Sequence, residues 1–318
     1  VLVKRIMTHN WLKNRWCQVE CLIIDEISMM HPSLFDKLEQ IARTVRKSSR
    51  PFGGIQLIIS GDFLQLPCPG TMDLCFQANT WNICVPNVVY LNEIIRQGDQ
   101  VFRDCLNHVR MGNLTSSTRD ILNSRVGVIL NNDYGISPTK LYAHNINVDN
   151  ENNIELNKLA EDDRDFYVYE MAFEIKSSFE SRQEFLINKF ISYCPIGQRI
   201  ELCVGAQVML TKNIDPSSGL SNGSRGIVVK FISDMPVVRF LNGVERTIFM
   251  EVWSMDDKGI KILQAHQLPL CVAYAMSIHK SQGGSLDYAE IDLSDIFDYG
   301  QAYVALSRVK TLEGLSII

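Results

Sequence analysis

Mostly apolar runs separated by a helical pattern mark the first part of the chain. Val19–Ile24, Ile55–Ile59 and Val88–Leu91 have the length and composition of buried parallel strands. Between the first two runs, apolar residues recur at helical spacing over Leu34–Val45. Strand, helix and strand in this order predict a doubly wound α/β sheet, in which ligands bind at the carboxyl ends of the strands.

A second α/β region follows Arg96. Its predicted elements are a helix over Val101–Val109 closed by Gly112, a strand over Thr139–Tyr142, a helix over Ile146–Leu159 with Asn145 as its cap, strands over Leu270–Ala273 and Ala289–Leu293, and a helix from Gly300 to Arg308. This region therefore repeats the strand–helix alternation of the first.

Short segments of alternating polarity interrupt this second region from about Glu161. Turn signals such as Asn222-Gly223 and Asn242-Gly243 separate them. The predicted strands are Arg199–Cys203, Gln207–Leu210, Gly226–Phe231, Val237–Phe240 and Thr247–Val252. The pattern predicts a small β-barrel inserted in the second α/β domain. We place the boundaries at residues 1–92 for the first domain, 93–160 and 267–318 for the second, and 161–266 for the insert.

Composition bounds the class of protein without deciding it. The 318 residues suffice for two or three domains, and the apolar fraction of 46% and charged fraction of 21% are those of a globular protein. No apolar run approaches the roughly 20 residues of a membrane span. The formal charge of −5 argues against coating duplex DNA, but it permits a narrow channel for single strands. Because Val1 is not an initiator methionine, we expect a cut inside a longer protein.

The nine cysteines include no Cys-x-x-Cys pair and are odd in number. A zinc site or a disulfide framework is therefore poorly supported, and we expect buried free thiols in a reducing intracellular compartment. That expectation is compatible with a nucleus, a mitochondrion, the cytoplasm or a viral replication site.

Two carboxylates, Asp25 and Glu26, follow the first predicted strand. One carboxylate at this edge can reach a Mg²⁺ ion held mainly by water and phosphate, and a second can orient or deprotonate an attacking water. The alternative is that the pair only ends a strand and caps the next helix. Gln65 follows the second strand, where a neutral amide can hydrogen-bond a γ-phosphate or the attacking water. The alternative there is an ordinary loop.

Arg96 and Arg308 could supply cations to a phosphoryl-transfer site, although each alone is more simply a surface residue. A third candidate segment, Ser277–Gly284, is polar, ends in glycine and lies between apolar strands. Its hydroxyls, amides and Lys280 suit a nucleic-acid backbone, whereas His279 alone would be an ordinary structural histidine.

These segments together resemble the helicase core of the Pif (petite integration frequency) family, a RecD-like branch of superfamily one. Leu34–Gln56 resembles the family's signature segment, and Gly205–Leu210 with Asn222–Val228 resembles its SH3-like insert. The motifs that carry the resemblance are Leu22–Met29 (motif II), Gly61–Pro67 (III), Leu91–Gln97 (the arginine motif), Ser277–Leu286 (V) and Tyr303–Arg308 (VI).

The resemblance implies an ATP- and Mg²⁺-dependent DNA helicase that moves 5′ to 3′ on single-stranded and forked DNA in replication, recombination, repair or genome maintenance. It implies an α/β fold of two RecA-like parallel-sheet domains, the first truncated at its N-terminus, with an SH3-like β-barrel in the second and ATP between the two domains. We also expect no membrane association, and a monomer in the absence of DNA.

The resemblance also assigns roles to residues. Asp25 would hold Mg²⁺, Glu26 would be the catalytic base, and Gln65 would sense the γ-phosphate. Arg96 and Arg308 would be arginine fingers, with Gly283 also at the nucleotide. The DNA contacts would come from His144, Asn145, His279, Lys280, Ser281 and Gln282. The signature helix near Phe35–Arg46 would support the DNA-binding face.

The chain departs from the family pattern in several places. The phosphate loop G-x-x-x-x-G-K-[ST] does not occur in these residues, and we expect it upstream of Val1. Ser277 and Ser285 replace threonines, and Gly284 replaces a larger apolar residue. Two alternatives remain open: a fragment that binds DNA or a partner without hydrolysing ATP, and a P-loop ATPase that is not a helicase.

Overall fold

The computed structural model describes residues 2–130, 135–161, 165–194, 196–257 and 259–318. The chain forms two compact units. Unit 1 runs to Asn123 and also includes Ile296–Ser307, whereas unit 2 comprises Ser124–Asp295 and Arg308–Ile318. Residues 93–123 thus group with unit 1, and the domain boundaries drawn from the sequence remain predictions.

The helices and strands are numbered separately in chain order. The helices are α1 Leu2–Thr8, α2 Asn10–Gln18, α3 Pro32–Arg46, α4 Trp81–Cys84, α5 Gln100–Arg110, α6 Ser116–Asn123, α7 Asn145–Ala160, α8 Gln183–Ile191, α9 Ile278–Ser281 and α10 Gln301–Leu306. The strands are β1 Cys21–Ile24, β2 Gln56–Ile59, β3 Thr139–Tyr142, β4 Tyr167–Glu170, β5 Ala172–Ile175, β6 Arg199–Leu202, β7 Gln207–Leu210, β8 Arg225–Ile232, β9 Met235–Phe240, β10 Glu245–Thr247, β11 Glu251–Asp257, β12 Ile260–Gln267, β13 Leu270–Val272, β14 Ala275–Ser277, β15 Ala289–Ile291 and β16 Leu315–Ile317.

Unit 1 is built on β1 and β2, which pair in parallel as the sequence predicts. The amphipathic helix α3 covers this pair, with Phe35 fully buried against Phe52 at a ring-centroid distance of 5.2 Å. Pro32 occupies the first turn of α3, where its missing N–H costs nothing. On the same strands, Ile23 and Ile58 are 68% and 48% exposed. The described part of unit 1 thus leaves apolar side chains of its sheet in solvent.

The expected strand at Val88–Leu91 is wrong. These residues belong to no strand, and Leu91 is 93% exposed. β-branched and aromatic residues favour an extended backbone, but a strand also needs a neighbour that accepts and donates its ladder hydrogen bonds. In the described part of unit 1 only β1 and β2 form a ladder, so this apolar run lacks a partner.

Unit 2 contains a four-stranded parallel sheet in the order β14-β3-β15-β16. The side chain of Asn152 on α7 bonds the backbone N–H and C=O of Ala275 at 2.9 and 3.2 Å, which satisfies the edge strand β14. The predicted strand over Thr139–Tyr142 is confirmed as β3, and that over Ala289–Leu293 forms β15, which ends two residues earlier. The strand expected in this sheet over Leu270–Ala273 is wrong in its placement, because β13 pairs with β7 in an antiparallel sheet and β14 takes the edge of the parallel one. The α/β class with RecA-like parallel sheets is therefore confirmed.

A β-rich region of unit 2 surrounds its largest apolar cluster. Five antiparallel strands lie in the order β10-β9-β8-β7-β13, and β11-β12-β5 and β4-β6 form smaller sheets. The single strand expected over Thr247–Val252 is wrong, because β10 ends at Thr247 and β11 begins in another sheet at Glu251. Ile248, 1% exposed, fills the crossing between the sheets. The SH3-like class of this region stays a prediction.

Two sequence expectations concern the whole chain. None of the nine cysteines, which all lie in the described ranges, forms a disulfide; only Cys75, Cys105 and Cys203 are buried, while Cys17 and Cys21 are exposed. The expectation of free thiols is confirmed, and that of general burial is wrong. Among the described helices, none has the length and apolarity needed to cross a membrane.

Candidate functional site

The carboxyl end of β1 presents an ionised carboxylate. Asp25 is exposed and accepts hydrogen bonds from the Ser60 hydroxyl and from the Glu26 backbone N–H, the latter at 3.0 Å. These two bonds, of which the one from Ser60 has the larger effect, hold the pKa of Asp25 below its usual value. The carboxylate of Asp25 is therefore charged at neutral pH and open to a cationic ligand.

Glu26 adopts the left-handed conformation, with φ 51° and ψ 49°. A residue with a side chain rarely adopts this conformation, and such residues cluster at functional sites where the surroundings hold them. Here the next residue, Ile27, donates its N–H to the Ser60 carbonyl at 3.0 Å. The bond ties the backbone after β1 to the end of β2.

Gly61 lets the ends of β1 and β2 approach each other. A Cβ atom at this position would lie 2.8 Å from the backbone nitrogen of Ile27, and φ is 150°. Only glycine fits such a close approach without moving the backbone. The segment Gly61–Pro67, called the Gln65 loop below, therefore starts beside Asp25 and Glu26.

Arg110 fixes the first part of the Gln65 loop. Its Nε and Nη2 donate to Oδ2 and Oδ1 of Asp62, both at 2.9 Å. Burial alone would raise the pKa of Asp62, but the hydrogen bonds from Arg110 and Leu64 and the guanidinium charge hold it below its usual value. Gln65 is half-buried, and its backbone N–H donates to the Asp62 carbonyl at 3.0 Å.

Gly300 approaches the Gln65 loop from the start of α10. It has φ 72°, and a Cβ atom there would lie 2.5 Å from the Gln65 carbonyl oxygen and 2.8 Å from that of Leu64. A cavity of about 470 Å³ within unit 1 opens beside this contact, with Gln65, Arg110 and Tyr303 among its lining residues. The loop that carries Gln65 is thus in contact with α10 as well as with α5.

Arg96 and Gln97 hold the carbonyl group of Ser307. Arg96 Nη1 and the buried Gln97 Nε2 donate to this oxygen at 3.3 and 3.0 Å. Ser307 directly precedes Arg308, so the arginine motif fixes the backbone next to the second expected arginine. Arg308 itself is 2% exposed, and its Nη1 donates to the Gly284 carbonyl at 3.4 Å within unit 2.

The donor set at Asp25 fits magnesium. Mg²⁺ is usually held by one or two carboxylates together with water and substrate phosphates, not by a cage of protein ligands. Asp25 is an exposed, ionised oxygen donor with the Ser60 hydroxyl beside it. In the described ranges, no group of three or more His, Cys, Asp or Glu side chains forms a metal cluster.

The expected DNA-contact residues lie at one edge of the parallel sheet of unit 2. Ser277 of β14 is in register with Tyr142 of β3, so the segments that follow both strands leave the same edge. His144 and Asn145 are exposed at the start of α7. The expected cap is off by one residue, because His144 is the N-cap and Asn145 the first helical residue; local pattern does not fix the terminal residue.

The second of these segments forms the short helix α9. Lys280 is exposed on it, and His279 and Gln282 are half-buried. Ser281 is buried, and its hydroxyl donates to the Ile278 carbonyl at 2.7 Å, so this oxygen already has an internal partner. Gly283 follows in the left-handed conformation with φ 77°. An exposed ammonium group and loop amides at a sheet edge suit a phosphate backbone.

Comparisons with known proteins agree with this arrangement. The model of the family described as "PIF1-like helicase" matches residues 2–120, and the model described as "DNA helicase Pif1, 2B domain" matches residues 186–231. The ATP-dependent DNA helicase PIF1 of Rattus norvegicus is 42% identical over 96% of this chain and 47% of its own length. The crystal structure of Pif1 helicase from Candida albicans superimposes with a TM-score of 0.83 at 35% identity, over all of this chain and 76% of that one. The chain belongs to the PIF1-like helicase family.

Another solved family member carries ligands. The crystal structure of Pif1 helicase from Bacteroides in complex with ADP-AlF3 and ssDNA has a TM-score of 0.68 at 30% identity, over 97% of this chain and 72% of that one. The chain spans about half the length of the curated relatives it matches first, 47% for the rat protein.

This member of the PIF1-like family also contains site residues that the sequence patterns missed. Asp62 and Arg110 are 48 positions apart, and no local pattern joins them. Gln97 lies in the arginine motif, but the motif predicts neither its burial nor its hydrogen bond to the Ser307 carbonyl. The sequence indicates Gly300 only as the start of a helix, because its contact with the Gln65 carbonyl depends on the tertiary fold.

Proposed function

We propose that the full-length protein is an ATP-driven DNA helicase that moves 5′ to 3′ along single strands. The observation that carries this proposal is the meeting of Asp25, Glu26 and the Gln65 loop at the carboxyl ends of adjacent parallel strands. Membership of a family whose curated relatives are named ATP-dependent DNA helicases supports it. The activity would serve replication, recombination, repair or genome maintenance, wherever in the cell the DNA substrate lies.

The proposed chemistry assigns one task to each group near the strand ends. Asp25 would hold Mg²⁺, which supplies positive charge to the phosphates when bound. Glu26 would accept a proton from the attacking water, a role that suits a half-buried carboxylate in a constrained backbone. The amide of Gln65 would hydrogen-bond the terminal phosphate or that water.

Arginine side chains would stabilise the charge that develops during phosphoryl transfer. Arg96 is half-buried beside the Ser307 carbonyl, and Arg308 follows in sequence. An arginine finger contributes on the order of 10³–10⁵ in rate. Gly283, exposed with φ 77°, would present its backbone to the nucleotide without a side chain in the way.

Single-stranded DNA would contact the sheet edge of unit 2. His144, Asn145, His279, Lys280 and Gln282 are candidates for phosphate or sugar contacts, and Ser281 for supporting them. The ssDNA in the Bacteroides structure supports this class of ligand, as does another family structure whose name describes DNA unwinding at forked dsDNA. The SH3-like insert would complete the DNA-binding surface, and the protein would be a monomer before it binds.

Unwinding by the full-length protein on substrates with either a 5′ or a 3′ tail tests the proposal. ATP-dependent unwinding of the 5′-tailed substrate alone is the expected result. Unwinding only from a 3′ tail would refute the direction. Failure on both substrates, with folded protein and Mg²⁺ present, would refute the helicase function.

A second candidate function applies to residues 1–318 alone: binding DNA or a protein partner without turnover. The chain contains no G-x-x-x-x-G-K-[ST] sequence to grip phosphates, and apolar side chains of its first sheet, Ile23 and Ile58, are exposed. We therefore expect no DNA-stimulated ATP hydrolysis from purified residues 1–318. Measurable turnover by that chain would contradict this expectation and leave the helicase proposal standing.

A further inference from the structure

Asp62 and Arg110 form a bidentate ion pair. Two N–H groups of one guanidinium meet both oxygens of one carboxylate at 2.9 Å each, which is the strongest and most directional arrangement of this pair. The side chains of Arg110 and Asp62 are only 33% and 20% exposed. Partial removal from water makes such a pair stronger than a surface ion pair.

Asp62 in turn holds Gln65 and its neighbour. Its carbonyl accepts the N–H of Gln65, and its Oδ1 accepts the N–H of Leu64, both at 3.0 Å. The half-buried side chain of Gln65 lies next to this turn, since Asp62 and Gln65 are its first and last residues. The backbone of Gln65, and with it the direction in which its side chain leaves the loop, therefore depends on where Asp62 lies.

The start of α10 lies directly against the backbone of the Gln65 loop. The backbone of Gly300 lies so close to the Gln65 carbonyl that even a methyl group at residue 300 would collide with it. The loop is thus in close contact with the start of α10 and is bonded to the end of α5.

We propose that Arg110, acting through Asp62, is a positioning residue that orients the Gln65 amide toward the terminal phosphate of the nucleotide. This inference rests on the proposed function of Gln65. Arg110 contacts neither the nucleotide nor the attacking water in this role; it fixes Asp62, whose carbonyl accepts the backbone N–H of Gln65. Removing the guanidinium leaves Gln65 present but free to leave the reacting orientation.

The test uses the full-length protein with Arg110→Met, Arg110→Lys and Asp62→Asn. ADP affinity should change less than about twofold, because ADP lacks the terminal phosphate that the Gln65 amide would contact. The affinity for ADP with aluminium fluoride, and kcat, should fall about 10- to 100-fold with KM nearly unchanged, as for one lost hydrogen bond to a charged group. Arg110→Lys should recover part of the loss, because lysine keeps the charge but not the two parallel bonds.

A double-mutant cycle separates positioning from general support of the fold. In a Gln65→Ala background, Arg110→Met should lower kcat no further, since the group it positions is already gone. Arg199→Met is the matched control: it removes an exposed arginine that pairs with Glu201 at 2.6 Å in unit 2, and all values should stay at those of the unaltered protein.

The outcomes are distinguishable from failure of the proposed function. If the unaltered protein neither hydrolyses ATP nor binds the fluoride complex, the proposed function fails. If it does both and Arg110→Met keeps kcat and analogue affinity, the positioning role is overturned. Equal losses of ADP and analogue affinity, or a further loss in the Gln65→Ala background, also overturn it. Should Arg110→Met not fold, the nearly isosteric Asp62→Asn decides by the same criteria.

Discussion

Arg46 near the end of α3 offers a sharp test of what holds unit 1 together. Its Nη1 donates to the carbonyls of Trp16, Cys17 and Val19 at 2.8, 3.0 and 2.9 Å, and its Nε donates to Gly53 at 2.9 Å. The first three acceptors belong to the end of α2 and the approach to β1. We predict that Arg46→Met loosens this junction, because methionine keeps the apolar stem but donates no hydrogen bond.

The size of the effect follows from the contacts. A hydrogen bond to a charged group contributes about 1.5–3 kcal/mol net, but one guanidinium shares its protons among these acceptors and is half-buried. The freed carbonyls near the surface can also be hydrated again. We therefore expect a loss of about 2–3 kcal/mol in the free energy of local opening, well below the sum of four separate bonds. That loss corresponds to about 30- to 150-fold faster exchange of the protected amides.

Hydrogen exchange of the full-length protein is the suitable assay, because it reports opening segment by segment. Amides of α2 and β1 should exchange faster in Arg46→Met, while those of the sheet in unit 2 should not change. Lys37→Met is the control. Lys37 is exposed on the same helix, and its side chain has no hydrogen-bond or ion-pair partner among the described residues. Acceleration below about threefold, or equal to that in Lys37→Met, would refute the role assigned to Arg46.

Three further predictions concern the candidate site and its support. Glu26→Gln should keep nucleotide binding but lower hydrolysis about 10²–10⁴-fold and abolish unwinding; retained unwinding would show that Glu26 is not the base. Arg308→Ala should spare binding to single strands yet slow hydrolysis, and unchanged turnover would make it structural. Burial alone would raise the pKa of Asp36, but hydrogen bonds from Thr80 and Asn79 lower it overall, so its stabilisation is complete above the usual carboxyl pKa and is lost as pH falls through the lowered value. Asp36→Ala should therefore unfold more easily than the unaltered protein at neutral pH and equally easily in strong acid, as denaturant titrations at both pH values will show.

The sequence predicts elements well where one local pattern suffices. Helix α3 contains the apolar stripe expected over Leu34–Val45, since both this stripe and the proline in its first turn are local signals. The run Val88–Leu91 has an equally clear composition, yet it forms no strand in the described chain. A strand exists only with a neighbour, and composition does not say whether that neighbour is present.

The candidate site divides in the same way. Asp25 and Gln65 could be expected from their places after apolar runs, because parallel strands bring their carboxyl ends to one edge. Arg110 could not be expected, because its contact with Asp62 depends on where α5 packs. The left-handed backbone of Glu26 also could not be predicted from the sequence, since a glutamate gives no local signal for that conformation.

Residues 96–110 connect two parts of the candidate site that lie far apart in sequence. At one end Arg96 and Gln97 hold the Ser307 carbonyl, and at the other Arg110 holds Asp62. Arg103 ties the segment together, with its Nε donating to the Gln97 carbonyl at 2.7 Å. Because α5 is a helix with little freedom to bend between these ends, a shift of the backbone before Arg308 should be felt at the Gln65 loop. We therefore expect Gln97→Ala and Arg110→Met to affect hydrolysis non-additively, although the two residues share no direct contact.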